Sequence, residues 1–94
     1  MGKVAKTIDN KLRSEFAPLR LAVEDESSRH HGHAGWREGG ETHFRVEIVS
    51  AAFEGQSWVA RQRLVYAALK DEFAAGLHAL ALTTLTPEED KRSG

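Results

Sequence analysis

The stretch THFRVEIVS, residues 42–50, sets Phe44, Val46 and Ile48 in alternation with Arg45 and Glu47. A period of two with one apolar face is the pattern of a half-buried β-strand, since successive side chains leave the backbone on opposite sides. Upstream, LRLAVEDES (19–27) repeats it, with Leu19, Leu21 and Val23 alternating against Arg20, Ala22 and Glu24. Two neighbouring strands of this kind are most simply joined as an antiparallel hairpin. The segment between them, of about fourteen residues, is long for a hairpin, and long connections are usually functional or mobile. It runs through ESSRHHGHAGWREGGETHF (26–44), which holds four of the five histidines and has no apolar period. Glycines at 32, 35, 39 and 40 make Ser28 to Gly40 the internal stretch expected to be least ordered.

Helices flank the two strands. Val4, Ile8, Leu12 and Phe16 recur every four residues, which predicts an amphipathic helix over 4–17, stopped by Pro18. SAAFEGQS (50–57) predicts a short helical turn broken at Gly55, with Ser57 capping the next helix. Along 57–75, Trp58, Val65, Leu69 and Phe73 share one side of the helical wheel, and Arg63 and Lys70 lie on the other. Gly76 supplies the stop. HALALTTLT (78–86) reads as a third strand, and PEEDKRSG (87–94) as a last helical turn with a polar tail. The expected fold is a single α+β domain over 1–94, in the order αββααβ(α). Helices cover one face of a three-stranded sheet, and residues 1–3 and 89–94 fray.

Composition narrows the function. The chain has 94 residues, 40% of them apolar and 29% charged, with a formal charge of −1 and no cysteine. That balance fits one globular domain without a strong field to draw it onto DNA or an anionic membrane. No apolar run is long enough to span a bilayer, and MGKVAKTIDN lacks a hydrophobic signal core, so a cytoplasmic location is expected. Without cysteine there is no thiol nucleophile, no disulfide, and no iron–sulfur cluster held by this chain's own thiolates. No zinc-protease, nucleotide-loop or nucleophile-elbow motif is present, and no enzymatic activity is expected. The acidic run Glu24, Asp25, Glu26 reads as a solvated patch.

Histidine is what remains. Neutral imidazole binds zinc, copper and iron, and His30, His31 and His33 are spaced closely enough for two rings to share an ion; the plain alternative is a polar loop. His43 opens the second strand with no special claim, while His78 stands at the mouth of the third. The other candidate surface is the helix from Ser57. With the turn before it, segment 51–75 has a helix-turn-helix-like layout from which Arg61, Arg63 and Lys70 are expected to project toward phosphates, bases or a protein partner.

In order, ETHFRVEIVS, FEG, RQRLVYAALKDEF, HALAL and TPEE resemble the BolA family from about Leu19 to Glu88. The resemblance implies a type II KH-like α+β fold. It also implies a non-enzymatic partner of monothiol glutaredoxins that shares with them a bridging 2Fe–2S cluster, in iron–sulfur trafficking or iron signalling. The family's histidine before the third strand corresponds to His78. Its second ligand, from the loop between the first two strands, falls best on His30, with His31 or His33 as alternatives. A glutaredoxin cysteine and glutathione would supply the thiolates, so the chain alone is expected to be colourless. One departure is Gln62, where the family usually has the histidine of an RHR triplet. It falls near the apolar side of the wheel, which marks it as structural. Some bacterial members are described as DNA-binding regulators of morphology and stress genes, which is the alternative function.

Overall fold

The computed structural model describes residues 2–26 and 43–93, so the expectations for His30, His31, His33 and the order of 28–40 lie outside the described residues. Helix α1 spans Lys3–Phe16 and buries Ala5, Ile8, Leu12 and Phe16, the stripe its spacing predicts. It ends where Ala17 turns left-handed at φ 43, its N–H still donating to the Arg13 carbonyl. Pro18 accounts for the exit, because its ring disfavours the right-handed helical conformation for the residue before it.

Strands β1 (Arg20–Asp25), β2 (His43–Val49) and β3 (Ala79–Leu85) form one mixed sheet in the order β1-β2-β3. β1 runs antiparallel to β2, as the hairpin reading expects, and β3 runs parallel to it. The register lines up Val23, Val46 and Leu82 across the sheet, and Leu21, Ile48 and Thr84 in the next row. Phe44, Val46 and Ile48 all point inward and are essentially buried. Leu19 does not follow: it is 74% exposed, and the core at that end is filled by Phe16 against Phe53, ring centroids 5.3 Å apart.

The crossover from β2 to β3 carries the other helices. Buried Ser50 starts it: its hydroxyl donates to the Phe16 carbonyl at 2.6 Å and accepts from the Ala52 N–H, and its own N–H donates to Leu85. A single 3₁₀ turn, Ala51–Phe53, follows, and Gly55 reverses the chain at φ 77. Ser57 then caps α2 (Trp58–Ala68) by accepting from Ala60 N–H. The expected single helix over 57–75 is interrupted: at buried Leu69 the backbone opens to φ −105, ψ 16, and α3 (Lys70–Ala74) resumes. Val65 and Leu69 enter the core, but Trp58 stays 57% exposed and Val59, Leu64 and Tyr66 also face out. Apolar residues therefore ring α2, and wheel position alone does not decide what it buries.

The helix-covered face of the sheet holds the core. On the other face Arg20, Ala22, Glu24, Arg45, Ala79, Ala81 and Thr83 are exposed. Within the acidic run, Glu24 and Asp25 are exposed, whereas Glu26 is buried and its carboxylate accepts from Arg45 Nε at 2.9 Å. The C-terminal segment is helical for longer than the single turn expected. It forms α4 (Pro87–Ser93), and its first turn is closed reciprocally. Thr86 Oγ1 accepts from Glu89 N–H, and Glu89 Oε1 accepts from Thr86 N–H at 2.9 Å. That capping box, with proline at the first helical position, removes two unsatisfied donors at the start of α4.

Candidate functional site

Three local features place His78. Gly76 at φ 126 turns the chain out of α3, buried Leu77 anchors it, and Leu77 N–H donates to the Glu72 carbonyl. His78 is then delivered, exposed, at the entrance of β3. His43, the first residue of β2, pairs with Ala79, and its ring lies 5.1 Å from that of His78 at a 52° tilt. His43 is only 5% exposed, so it is not an idle strand-opening residue: it walls one side of the exposed imidazole. The signal for this was the register, which sequence alone did not supply.

An open groove of about 650 Å³ continues from His78. Tyr66, Lys70 and Phe73 line its helix side, and Ala79 and Leu80 its strand side. Tyr66 meets Phe73 edge-on at 5.4 Å, which keeps this wall apolar and rigid. Among the described residues no group of three His, Asp or Glu side chains converges to hold a metal ion. What the described residues offer here is an exposed imidazole nitrogen beside an apolar trough.

The three basic residues assigned to the helix surface separate. Arg61 does not project. It is 6% exposed, and its guanidinium donates to the Gln56 carbonyl at 3.0 Å, the Thr84 carbonyl at 3.3 Å and both oxygens of Glu89. Trp58 covers it at 4.5 Å. Each direction of its fork is spent on the protein itself, which removes it from any surface for nucleic acid or a partner. The same contact, with the Thr86 N–H, holds the Glu89 carboxyl down at about 2. Arg63 and Lys70 do face outward, Lys70 on the groove. Gln62 is exposed as well, so the structural role expected for it on the apolar side is not the one it has.

Residues 12–89 match the family model of BolA-like proteins. The chain is 47% identical over 93 residues to SufE-like protein 1, chloroplastic/mitochondrial, of Arabidopsis thaliana, which covers 95% of this chain and 25% of that protein. Protein BOLA1, chloroplastic, of the same plant is 48% identical over 87 residues, covering 90% of this chain and 54% of that one. The chain thus spans a quarter and about half of the length of these two relatives. The DNA-binding transcriptional regulator BolA of Escherichia coli is 42% identical, covering 92% of this chain and 78% of the regulator. Among solved structures, the BolA domain of SufE1 from Arabidopsis thaliana superposes with a TM-score of 0.87 at 47% identity, covering 95% of this chain and 98% of that one. The matched span takes in the sheet, the crossover, His78 and the groove, and the chain belongs to the BolA family.

Proposed function

We propose that this protein is a non-enzymatic partner of a monothiol glutaredoxin and shares with it a bridging 2Fe–2S cluster as cargo, in iron–sulfur trafficking or iron signalling. The observation that carries the reading is His78. It is an exposed imidazole on a backbone held by β3, walled by His43, at the end of an apolar groove. An accessible nitrogen ligand fixed in this way suits the histidine side of a mixed cluster, where thiolates take the other positions. With no cysteine in the chain, those thiolates must be external, which is what a cluster bridged by a glutaredoxin cysteine and glutathione provides. When bound, the cluster supplies the redox and transfer chemistry. The chain's own part is to present His78, with a loop histidine (His30, or His31 or His33) as second ligand, and to shield one side of the site.

Co-purification with a monothiol glutaredoxin, followed by visible spectra after reconstitution with iron, sulfide and glutathione, tests the proposal. A coloured complex that needs both proteins supports it; stoichiometric iron and sulfide on this chain alone contradicts it.

A second reading has one observation in its favour, the Escherichia coli relative's name as a DNA-binding regulator. Segment 51–75 would then dock on DNA through Arg63 and Lys70, without Arg61, whose guanidinium is committed to Glu89. Two surface cations on a chain of net charge −1 make a weak footprint for a duplex. Tight duplex binding with a steep salt dependence favours this reading over the cluster reading.

A further inference from the structure

The sheet has two edges, and this chain protects them differently. The β1 edge, RLAVED, carries Arg20, Glu24 and Asp25, charges that discourage a foreign strand from pairing. The β3 edge, ALALTTL, has no charge and no proline.

Two hydrogen bonds fix which β3 groups face outward. Ser50 N–H donates to Leu85 O, on the β2 side, and Arg61 Nη1 donates to Thr84 O, on the free side. In a parallel ladder, alternate residues turn both N–H and C=O to opposite neighbours. Thr84 therefore sets the parity, and Leu80 and Leu82 direct their N–H and C=O to the free edge. Arg61, backed by Glu89 at the start of α4, blocks that edge at Thr84. Nothing among the described residues blocks it at Leu80 and Leu82. The 650 Å³ groove opens on the same edge at Ala79 and Leu80.

We propose that the Leu80–Leu82 edge of β3 is a docking site for an extended polypeptide segment of the glutaredoxin partner. The segment adds as a further strand, sets an apolar side chain between Tyr66, Phe73 and Leu80, and places a carboxylate against Lys70. The identity of the partner rests on the functional reading above. An edge presenting two donor–acceptor pairs about 6.6 Å apart matches the repeat of one extended strand. Lys70 selects the charge: it is exposed on the groove and forms no ion pair among the described residues. The strand ALALTTL of a second copy itself carries no carboxylate for Lys70. A nucleic-acid strand meets a single cation among the described residues that line the groove. The edge is continuous with His78, so a partner strand here also brings its own chain to the site of the proposed cluster.

The test is amide exchange by NMR on the apo protein, with and without a monothiol glutaredoxin, cluster absent. In the free protein the Leu80 and Leu82 amides exchange fast, while those of Ala81 and Thr83, turned toward β2, are protected. Binding slows Leu80 and Leu82 by about tenfold or more, as expected when an open edge becomes part of a ladder. Lys70→Glu weakens the complex by about tenfold, a like-charge penalty, and Lys70→Arg leaves it intact. If the complex forms while Leu80 and Leu82 exchange as before, the docking site is wrong and the functional reading stands. If no complex forms, both are wrong. Protection that grows with this chain's own concentration, or that appears with single-stranded DNA in place of glutaredoxin, also overturns the proposal.

Discussion

The two ends of β3 are finished in opposite ways. At Thr84–Leu85 the strand is closed: Arg61 binds the Thr84 carbonyl, Glu89 braces Arg61 and is itself locked into the first turn of α4, and Ser50 ties Leu85 to β2. At His78–Leu80 the strand opens onto an apolar groove, with an exposed imidazole at its mouth. The closed end shows that this fold can satisfy a sheet edge with its own side chains. The other end is left open beside the exposed imidazole of His78, and the proposed docking surface uses that opening.

Breaking the closed end should cost the most stability. Arg61→Ala removes bonds to two backbone carbonyls and a carboxylate together, and we expect a loss of more than about 2 kcal/mol, read by chemical unfolding. A variant within experimental error of wild type would mean the end is not closed by this side chain.

Acid should loosen the same end. Glu89 titrates at about 2 when folded against an ordinary 4.5, its ionised form favoured by Arg61 and then by the Thr86 N–H. Its contribution is fully present above about 4.5 and is lost as pH falls toward 2. The thermal midpoint of wild type should fall more steeply across that window than that of Glu89→Gln. Parallel curves would sever the link between Glu89 and the latch.

The open end should be nearly silent in stability. His78→Ala is expected to stay within about 0.5 kcal/mol of wild type, because an exposed ring at a strand entrance gives up little packing. A larger loss would make His78 a structural residue like Arg61. The smallest effect is expected at Arg63, exposed on α2: Arg63→Ala should change neither unfolding nor affinity for glutaredoxin, and a clear fall in duplex binding on its removal would instead move the DNA reading forward.

Much of this contrast was readable in advance, and the part that was not has identifiable causes. Period-two alternation at Phe44, Val46 and Ile48 and the spacing of Ile8, Leu12 and Phe16 decided the sheet and α1, because both elements bury one face only. Ser57 and Gly55 worked as local signals for the same reason: a cap and a left-handed turn are decided within a few residues. The latch was half-legible. TPEE holds the capping box Thr86–Glu89 in plain view, yet the reach of Glu89 to Arg61 joins positions 28 residues apart. Arg61 misled for a related reason. An arginine on a helix ringed with apolar residues reads as solvent-facing until a distant carboxylate claims it. His78 was singled out by the family resemblance, as the histidine before the third strand, whereas the placement of His43 against it depends on the β2–β3 register, which no local pattern encodes.

The most direct test of the central claim, that the open end exists to share a cluster, is the visible spectrum of His78→Ala reconstituted with monothiol glutaredoxin, iron, sulfide and glutathione beside wild type. The account predicts that the variant still binds apo-glutaredoxin but forms no stable mixed cluster, and that whatever colour appears is bleached by chelator far faster than in wild type. A His78→Ala complex with wild-type spectrum and wild-type resistance to chelator would contradict it.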